Sequence, residues 1–249
     1  MIADLFADVI GAFAFLTVLP VGRLVSISNR PAGYTFSTFP LVGLVIGLIV
    51  AVVTSIRVLP GDLIAFLALF TWVALTGGLH LDGLADSCDG LLATVTPERR
   101  LEIMKDPRAG SWAVAGIALL LLGKWIALRG IPPALLILPP VLGRWAMVLA
   151  AVGFPAARTS GLAAHFREGL GRRQVVVALL LSIIIALICS FFYGRRALVP
   201  LIAAPLTVLI VGRWAARRLG GGLTGDVYGA ICELVELLCL ILLNVSWAA

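Results

Sequence analysis

At 249 residues, 61% of them apolar and only 13% charged, the chain has too little polar surface to cover a soluble globule of its size. Its net charge of +6 comes from basic residues spread over many short loops, which fits topology and anionic headgroups and excludes a nucleic-acid-binding stripe. The expectation is an all-α, polytopic helical bundle dissolved in the lipid bilayer.

The chain opens on Asp4 and Asp8 with no basic residue before Arg23, the reverse of a signal peptide's cationic start, so the first helix is expected to remain. Ile2, Leu5, Phe6, Val9 and Ile10 recur at helical spacing into a short apolar run, Val9 to Gly22, which either spans or lies in the interface. A bilayer core about 30 Å thick asks for roughly 20 apolar residues per helix. Seven runs supply them: Phe39 to Leu59, Leu63 to Leu79, Ser111 to Leu128, Ile131 to Gly153, Val175 to Tyr193, Ala197 to Gly212 and Val227 to Trp247. Backbone facing lipid must satisfy its own hydrogen bonds, so each is read as a transmembrane helix, giving about seven, or eight with the first. The longest polar stretch, about 31 residues, is too short for a core of its own, so residues 1–249 are read as one membrane-embedded domain. Gly43 and Gly47 form a GxxxG that permits close helix contact, and an oligomer is compatible with it. Cys189, Cys232 and Cys239 lie inside apolar runs and no CxxC occurs, which points to packing rather than to zinc or a disulfide framework.

With the segment His80 to Gly110 on the cytoplasmic side, alternation puts thirteen Lys and Arg residues in the loops of that face and four, Arg57, Arg129, Arg195 and Arg196, on the other. This bias sets the acidic segments in the cytoplasm.

The most informative stretch, Gly77 to Gly90, reads Gly-Gly-Leu-His-Leu-Asp-Gly-Leu-Ala-Asp-Ser-Cys-Asp-Gly. Asp82, Asp86 and Asp89 stand at i, i+4 and i+7, one face of a helix. Like charges so close repel unless a cation neutralises them, and hard oxygen ligands suit Mg²⁺ or Mn²⁺, so a divalent metal site outweighs a solvated acidic loop. His80, two residues ahead, is a candidate ligand, general base or phosphate partner. Downstream, Pro97 to Gly110 brings four basic residues, of which Lys105 and Arg108 are the stronger candidates for holding a diphosphate. The plainer alternative is that Glu98, Glu102 and Asp106 pair with these bases on an interfacial helix.

A second constellation, Gly220 to Glu236, is a glycine-rich turn leading into a helix, whose first N–H groups, around Thr224 and Gly225, suit an anion. Asp226 and Glu233 lie seven apart on one face, with Glu236 a turn deeper. Ionised carboxylates inside a span are costly and mark function, the alternative being pairing with Arg144 or Lys124; Lys124, near the end of its run, is otherwise expected to snorkel. Four spans separate Asp82 from Asp226, so both face one side and can build one site.

These blocks resemble the cobalamin synthases, or adenosylcobinamide-GDP ribazoletransferases. The resemblance rests on Phe39-Pro-Leu-Val-Gly, on His80-Leu-Asp-Gly-Leu-Ala-Asp-Ser-Cys-Asp-Gly, on Leu101-Glu-Ile-Met-Lys-Asp-Pro-Arg, and on Leu223-Thr-Gly-Asp-Val-Tyr-Gly-Ala-Ile-Cys-Glu. The resemblance implies a Mg²⁺-dependent phosphotransferase of the bacterial inner membrane, its active site facing the cytoplasm. It would join adenosylcobinamide-GDP to α-ribazole or its 5′-phosphate, releasing GMP and completing the nucleotide loop of cobalamin. Asp82, Asp86 and Asp89 would hold the metal, Lys105, Arg108, Thr224 and Gly225 the substrate phosphates, and His80, Asp226 or Glu233 would take the hydroxyl proton. The chain departs from the family in its lysine at 105 and in the stretch after Gly110, which is poorer in glycine. A CDP-alcohol-type membrane phosphotransferase is a weaker alternative, since Asp86 stands where that signature has arginine. A membrane cation transporter is weaker still, since most acidic residues cluster at one face.

Overall fold

The computed structural model describes residues 2–21, 31–56, 58–158 and 161–245. Arg23, Arg30 and Arg57 of the charge count, and Trp247 at the end of the last apolar run, lie outside them. The first helix, α1 (Ile2–Leu16), has 15 residues, too few to cross a bilayer core, and the chain then turns as the Val18 N–H donates to the Leu75 carbonyl at 2.9 Å. A 3-10 turn, Ala32–Thr38, feeds α2 (Phe39–Thr54), with Pro40 in its first turn where a helix has no use for the missing N–H.

Next, α3 (Gly61–Thr76) ends at Gly77 with φ at 61°, and Gly78 with φ at 71° begins α4 (Leu79–Leu92). Two successive left-handed residues, a conformation open to glycine at little cost, bend this pair by 88°. The chain continues through α5 (Pro97–Ile103), α6 (Ser111–Leu128), α7 (Leu138–Gly153), α8 (Leu162–Arg167), α9 (Arg172–Tyr193), α10 (Val199–Arg218) and α11 (Gly225–Asn244). The segment from His80 to Gly110, counted with the cytoplasmic loops in the charge tally, is therefore largely helical.

The protein is an all-α, polytopic membrane bundle. Among the described residues, five helical stretches are long and apolar enough to cross a membrane: Ala32–Thr54, Ser111–Leu128, Pro133–Gly153, Arg172–Tyr193 and Arg195–Arg218. The bent pair of α3 and α4 makes a sixth if counted as one broken span, against the seven expected from apolar runs. Four of the five lie between α4 and α11, in keeping with one face for both acidic segments. The outward surfaces carry Phe66, Phe70, Leu119, Leu180, Ile184 and Ile210, a belt that water would not tolerate but lipid matches.

At the centre stands α11, packed against α7, α4, α10 and α6. Small residues let the axes come together. The GxxxG of α2 lies on the first turn of α7, where a Cβ on Gly43 would strike the Pro140 carbonyl and one on Gly47 would stand 2.6 Å from the Ile137 Cα. Gly43→Ala is accordingly expected to cost about 1–3 kcal/mol through overpacking, read as a lower unfolding temperature in detergent with unchanged self-association. A shift in oligomeric state at full stability would mean that the motif works between molecules instead.

Candidate active site

Because α4 begins at the bend, its first turns run beside the N-terminus of α11. The contact is backbone on backbone: a Cβ on Gly83 would lie 2.8 Å from the Asp226 carbonyl oxygen. Asp86, half-buried, thus falls within electrostatic reach of Asp226 and of its own helix neighbours Asp82 and Asp89, with Arg158 as the opposing charge. The i, i+4, i+7 face read from the sequence exists, and α11 adds a fourth carboxylate to it.

The four acids are not equivalent. Both oxygens of Asp89 are engaged by the start of α6, Oδ2 accepting from the Gly110 N–H at 2.6 Å and Oδ1 from the Ala113 N–H at 2.9 Å. This is a helix cap delivered from a neighbouring helix, and the negative charge suits the positive end of the α6 dipole. Asp82 and Asp226 line the cavity described below, Asp226 also hydrogen-bonded to Thr224, while Asp86 stands half-buried beside them. At the other end of α4, Arg100 donates to the carbonyls of Gly90 and Leu91 at 3.0 and 2.8 Å, and Arg218 donates to Leu91 at 2.8 Å. Arg218, counted from the sequence only for topology, and Arg100, one of the four bases read there as diphosphate candidates, therefore close the helix that carries the acids.

Thr224 caps α11 by accepting from the Val227 N–H at 3.4 Å, so the N–H groups of Gly225 and Asp226 open the helix without intrahelical acceptors. Just outside runs the chain after α7. A parallel bridge pairs Ala156 with Leu223, the Ala157 N–H reaching the Leu223 carbonyl and the Leu223 N–H the Pro155 carbonyl, both at 2.9 Å. This bridge sets Arg158 at the mouth of α11, where it also donates to the Leu101 carbonyl at 2.6 Å. Arg158, Thr224, Gly225 and Asp226 line a cavity of about 180 Å³. A second cavity, of about 110 Å³, shares Ala163, Gly225 and Asp226 with the first and continues past Asp82 and His80 to a wall of Phe15, Phe36, Phe39 and Phe166. Nothing in the local sequence marked Arg158 as a site residue, and of the aromatic wall only Phe39 stood in a quoted block, since these residues come from elements far apart in the chain.

Other expected site residues stand apart. Arg108 is exposed and forks onto Asp106 at 2.9 and 2.7 Å, hydrogen bonds that hold the Asp106 carboxyl down at about 2. Arg99 pairs with Glu102 at 2.7 Å, so the pairing of acids with bases along this segment is realised in part. Arg108, Arg99 and Asp89 border a separate recess of about 260 Å³, which exposed Lys105 does not line.

Glu233 is buried away from both cavities, bound to the Lys124 ammonium at 2.6 Å. Lys124 also bonds Glu236, and Glu236 bonds Arg144, all three at 3% exposure or less. The expectation that Lys124 snorkels is corrected: a neutral, closed set of two cations and two carboxylates holds it inside, where a lone ammonium would not stay.

Among the described residues no three His, Cys, Asp or Glu side chains are gathered tightly enough to enclose an ion by themselves. Asp82 and Asp226, which line one cavity, with Asp86 within electrostatic reach, nevertheless form an acidic, oxygen-only set, the chemistry of a hard cation that keeps waters and substrate oxygens in its shell.

The family model for cobalamin-5-phosphate synthases matches residues 8–244. The chain is 39% identical over 97% of its length to an adenosylcobinamide-GDP ribazoletransferase of Roseiflexus sp., covering 90% of that protein. It is 37% identical to the Deinococcus radiodurans protein of that name, over 92% of this chain and 82% of the relative, and 39% identical to that of Stutzerimonas stutzeri, over 94% and 96%. No solved structure matches. A match of this extent, over a chain in which two of the quoted blocks meet at the junction of α4 and α11, places the protein in the cobalamin-5-phosphate synthase family.

Proposed function

We propose that this chain is the membrane ribazoletransferase that completes cobalamin. It would join adenosylcobinamide-GDP to α-ribazole or its 5′-phosphate and release GMP, working as one domain from the cytoplasmic face of a bacterial inner membrane. The observation that carries this reading is the meeting of the α4 carboxylates with the N-terminus of α11, across four intervening candidate membrane spans. The loop charge asymmetry supports the orientation, and the bacterial relatives support the membrane.

In the reaction, the ribazole 3′-hydroxyl oxygen forms a bond to the cobinamide-side phosphorus as the bridging bond to GMP breaks. The hydroxyl proton passes to a carboxylate, and Asp226, which borders both cavities, is best placed to accept it. Arg158 and the first N–H groups of α11 hold the diphosphate and its leaving oxygen. Asp82 and Asp86, with Asp226, would hold Mg²⁺, which when bound offsets the charge that builds on the phosphoryl oxygens. The chain's own part is to align hydroxyl and phosphorus and to exclude water as an alternative nucleophile.

The test is GMP release from adenosylcobinamide-GDP by detergent-purified protein. Release is expected only with both α-ribazole phosphate and Mg²⁺ and is expected to vanish in EDTA. Release from folded protein that ignores EDTA would remove the metal from the scheme, and its absence under all conditions would remove the reaction.

A further inference from the structure

His80 is 1% exposed at the second residue of α4, and its two ring nitrogens meet opposite surroundings. Nδ1 faces the Arg144 guanidinium, with Nη2 at 3.5 Å. Nε2 is buried without a protein partner, and the ring borders the aromatic-walled cavity alongside Asp82 and Asp226. Arg144 cannot turn away: it is fully buried, and its Nη1 is held by Glu236, itself held by Lys124. A guanidinium has donors and no lone pair, so an Nδ1–H here would set donor against donor. Only the ring with a bare Nδ1 and a hydrogen on Nε2 satisfies that side.

We propose that Arg144 is a positioning residue that fixes His80 as the Nε2–H tautomer, making His80 a hydrogen-bond donor to the bound substrate rather than the base that deprotonates it. The proposal rests on the transferase reading for its substrate but on the Arg144 contact for its direction. With its lone pair turned to Arg144, the ring that borders the cavity has nothing with which to take a proton. It has one N–H with no acceptor until substrate arrives, and a buried donor left unsatisfied is repaid when a phosphoryl or ribosyl oxygen enters. The proton of the attacking hydroxyl then belongs to a carboxylate. The buried chain Glu233, Lys124, Glu236, Arg144 thereby acquires an outlet at the site.

Two substitutions separate donor from base. The Gln amide can place an N–H near Nε2, and Asn can place one only near Nδ1. His80→Gln is expected to keep kcat within about tenfold of the parent, whereas His80→Asn and His80→Ala fall by about 10²–10³-fold, the usual effect of losing one donor to developing charge. If Gln is as inactive as Ala while all variants stay folded, the ring acts as a base and the proposal is wrong. A second readout needs no turnover. The chain has two histidines, so long-range ¹H–¹⁵N correlation of [¹⁵N]histidine-labelled protein, with His165→Gln for assignment, should show a His80 ring protonated at Nε2 and bare at Nδ1. In the Arg144→Met/Glu236→Leu double variant, which removes a cation and an anion together, the preference should disappear. A ring protonated at Nδ1 in the parent would overturn the assignment. Absence of GMP release by the parent would count only against the transferase reading, because the tautomer is measured independently.

Discussion

Asp86→Asn is expected to abolish GMP release, by about 10³-fold or more, in a protein that is folded and melts at or above the parental temperature. The two effects have one cause. Asp86 stands half-buried among Asp226, Asp82 and Asp89 with Arg158 as the opposing charge, so without a cation its own charge works against the fold. Removing that charge relieves the apo protein and at the same time removes an oxygen ligand and the reason for a cation to bind. Mg²⁺ should therefore raise the melting temperature of the parent, as any ligand of the native state does, and leave that of Asp86→Asn unmoved.

Asp89→Ala should behave in the opposite way. It strips the cap from α6, losing two hydrogen bonds from Gly110 and Ala113, and should cost about 1–3 kcal/mol of stability while Mg²⁺ stabilisation persists. Thermal unfolding with and without Mg²⁺, beside GMP release, reads both. Near-parental turnover by Asp86→Asn would take the metal off α4, and an Asp89→Ala variant of full stability and no activity would exchange the two roles.

Different parts of the molecule were legible in the sequence to different degrees, for physical reasons. Helical character follows from lipid, which leaves the backbone few options, so the apolar runs reported it directly. The number of crossings did not follow as easily. Apolarity does not say that Gly77 and Gly78 turn the chain by 88°, nor that α11 spends its length among other helices. The acidic face of α4 was readable because i, i+4, i+7 is a property of one helix. The separate task of Asp89 was not, since it depends on where α6 begins, 21 residues later. Arg158 depends on a single bridge between Ala156 and Leu223, and the partners of Lys124 lie 109 and 112 residues away. A charge inside an apolar run announces that it needs a counter-charge without saying which one.

That counter-charge carries the second large effect. Glu236→Leu is expected to destabilise the protein by about 3–5 kcal/mol, enough to deplete folded protein in membranes and in detergent. Glu236 is fully buried and is the only acid here to bond both Lys124 and Arg144 among the described contacts. Its loss leaves two cations facing Glu233 alone, in a region where water cannot reach the surplus charge and where neither side chain can reach the interface. Glu233→Gln should cost less, about 1–3 kcal/mol: it too leaves two cations facing one carboxylate, but Glu236 still bonds both of them and the amide oxygen can still accept from the ammonium at its 2.6 Å position. The asymmetry between two glutamates one turn apart separates a pairing network from generic acidity. If the quadruple replacement of Lys124, Arg144, Glu233 and Glu236 by apolar residues of similar volume folds as well as the parent, the set is not there for stability, since removing all partners leaves no charge behind. Loss of turnover in that folded variant would then be read at His80, through which the network touches the cavity. Unfolding temperature and GMP release across these three variants distinguish the outcomes, and equal losses for Glu233→Gln and Glu236→Leu would show that Lys124 alone, not the doubly bonded Glu236, is the hinge of the set.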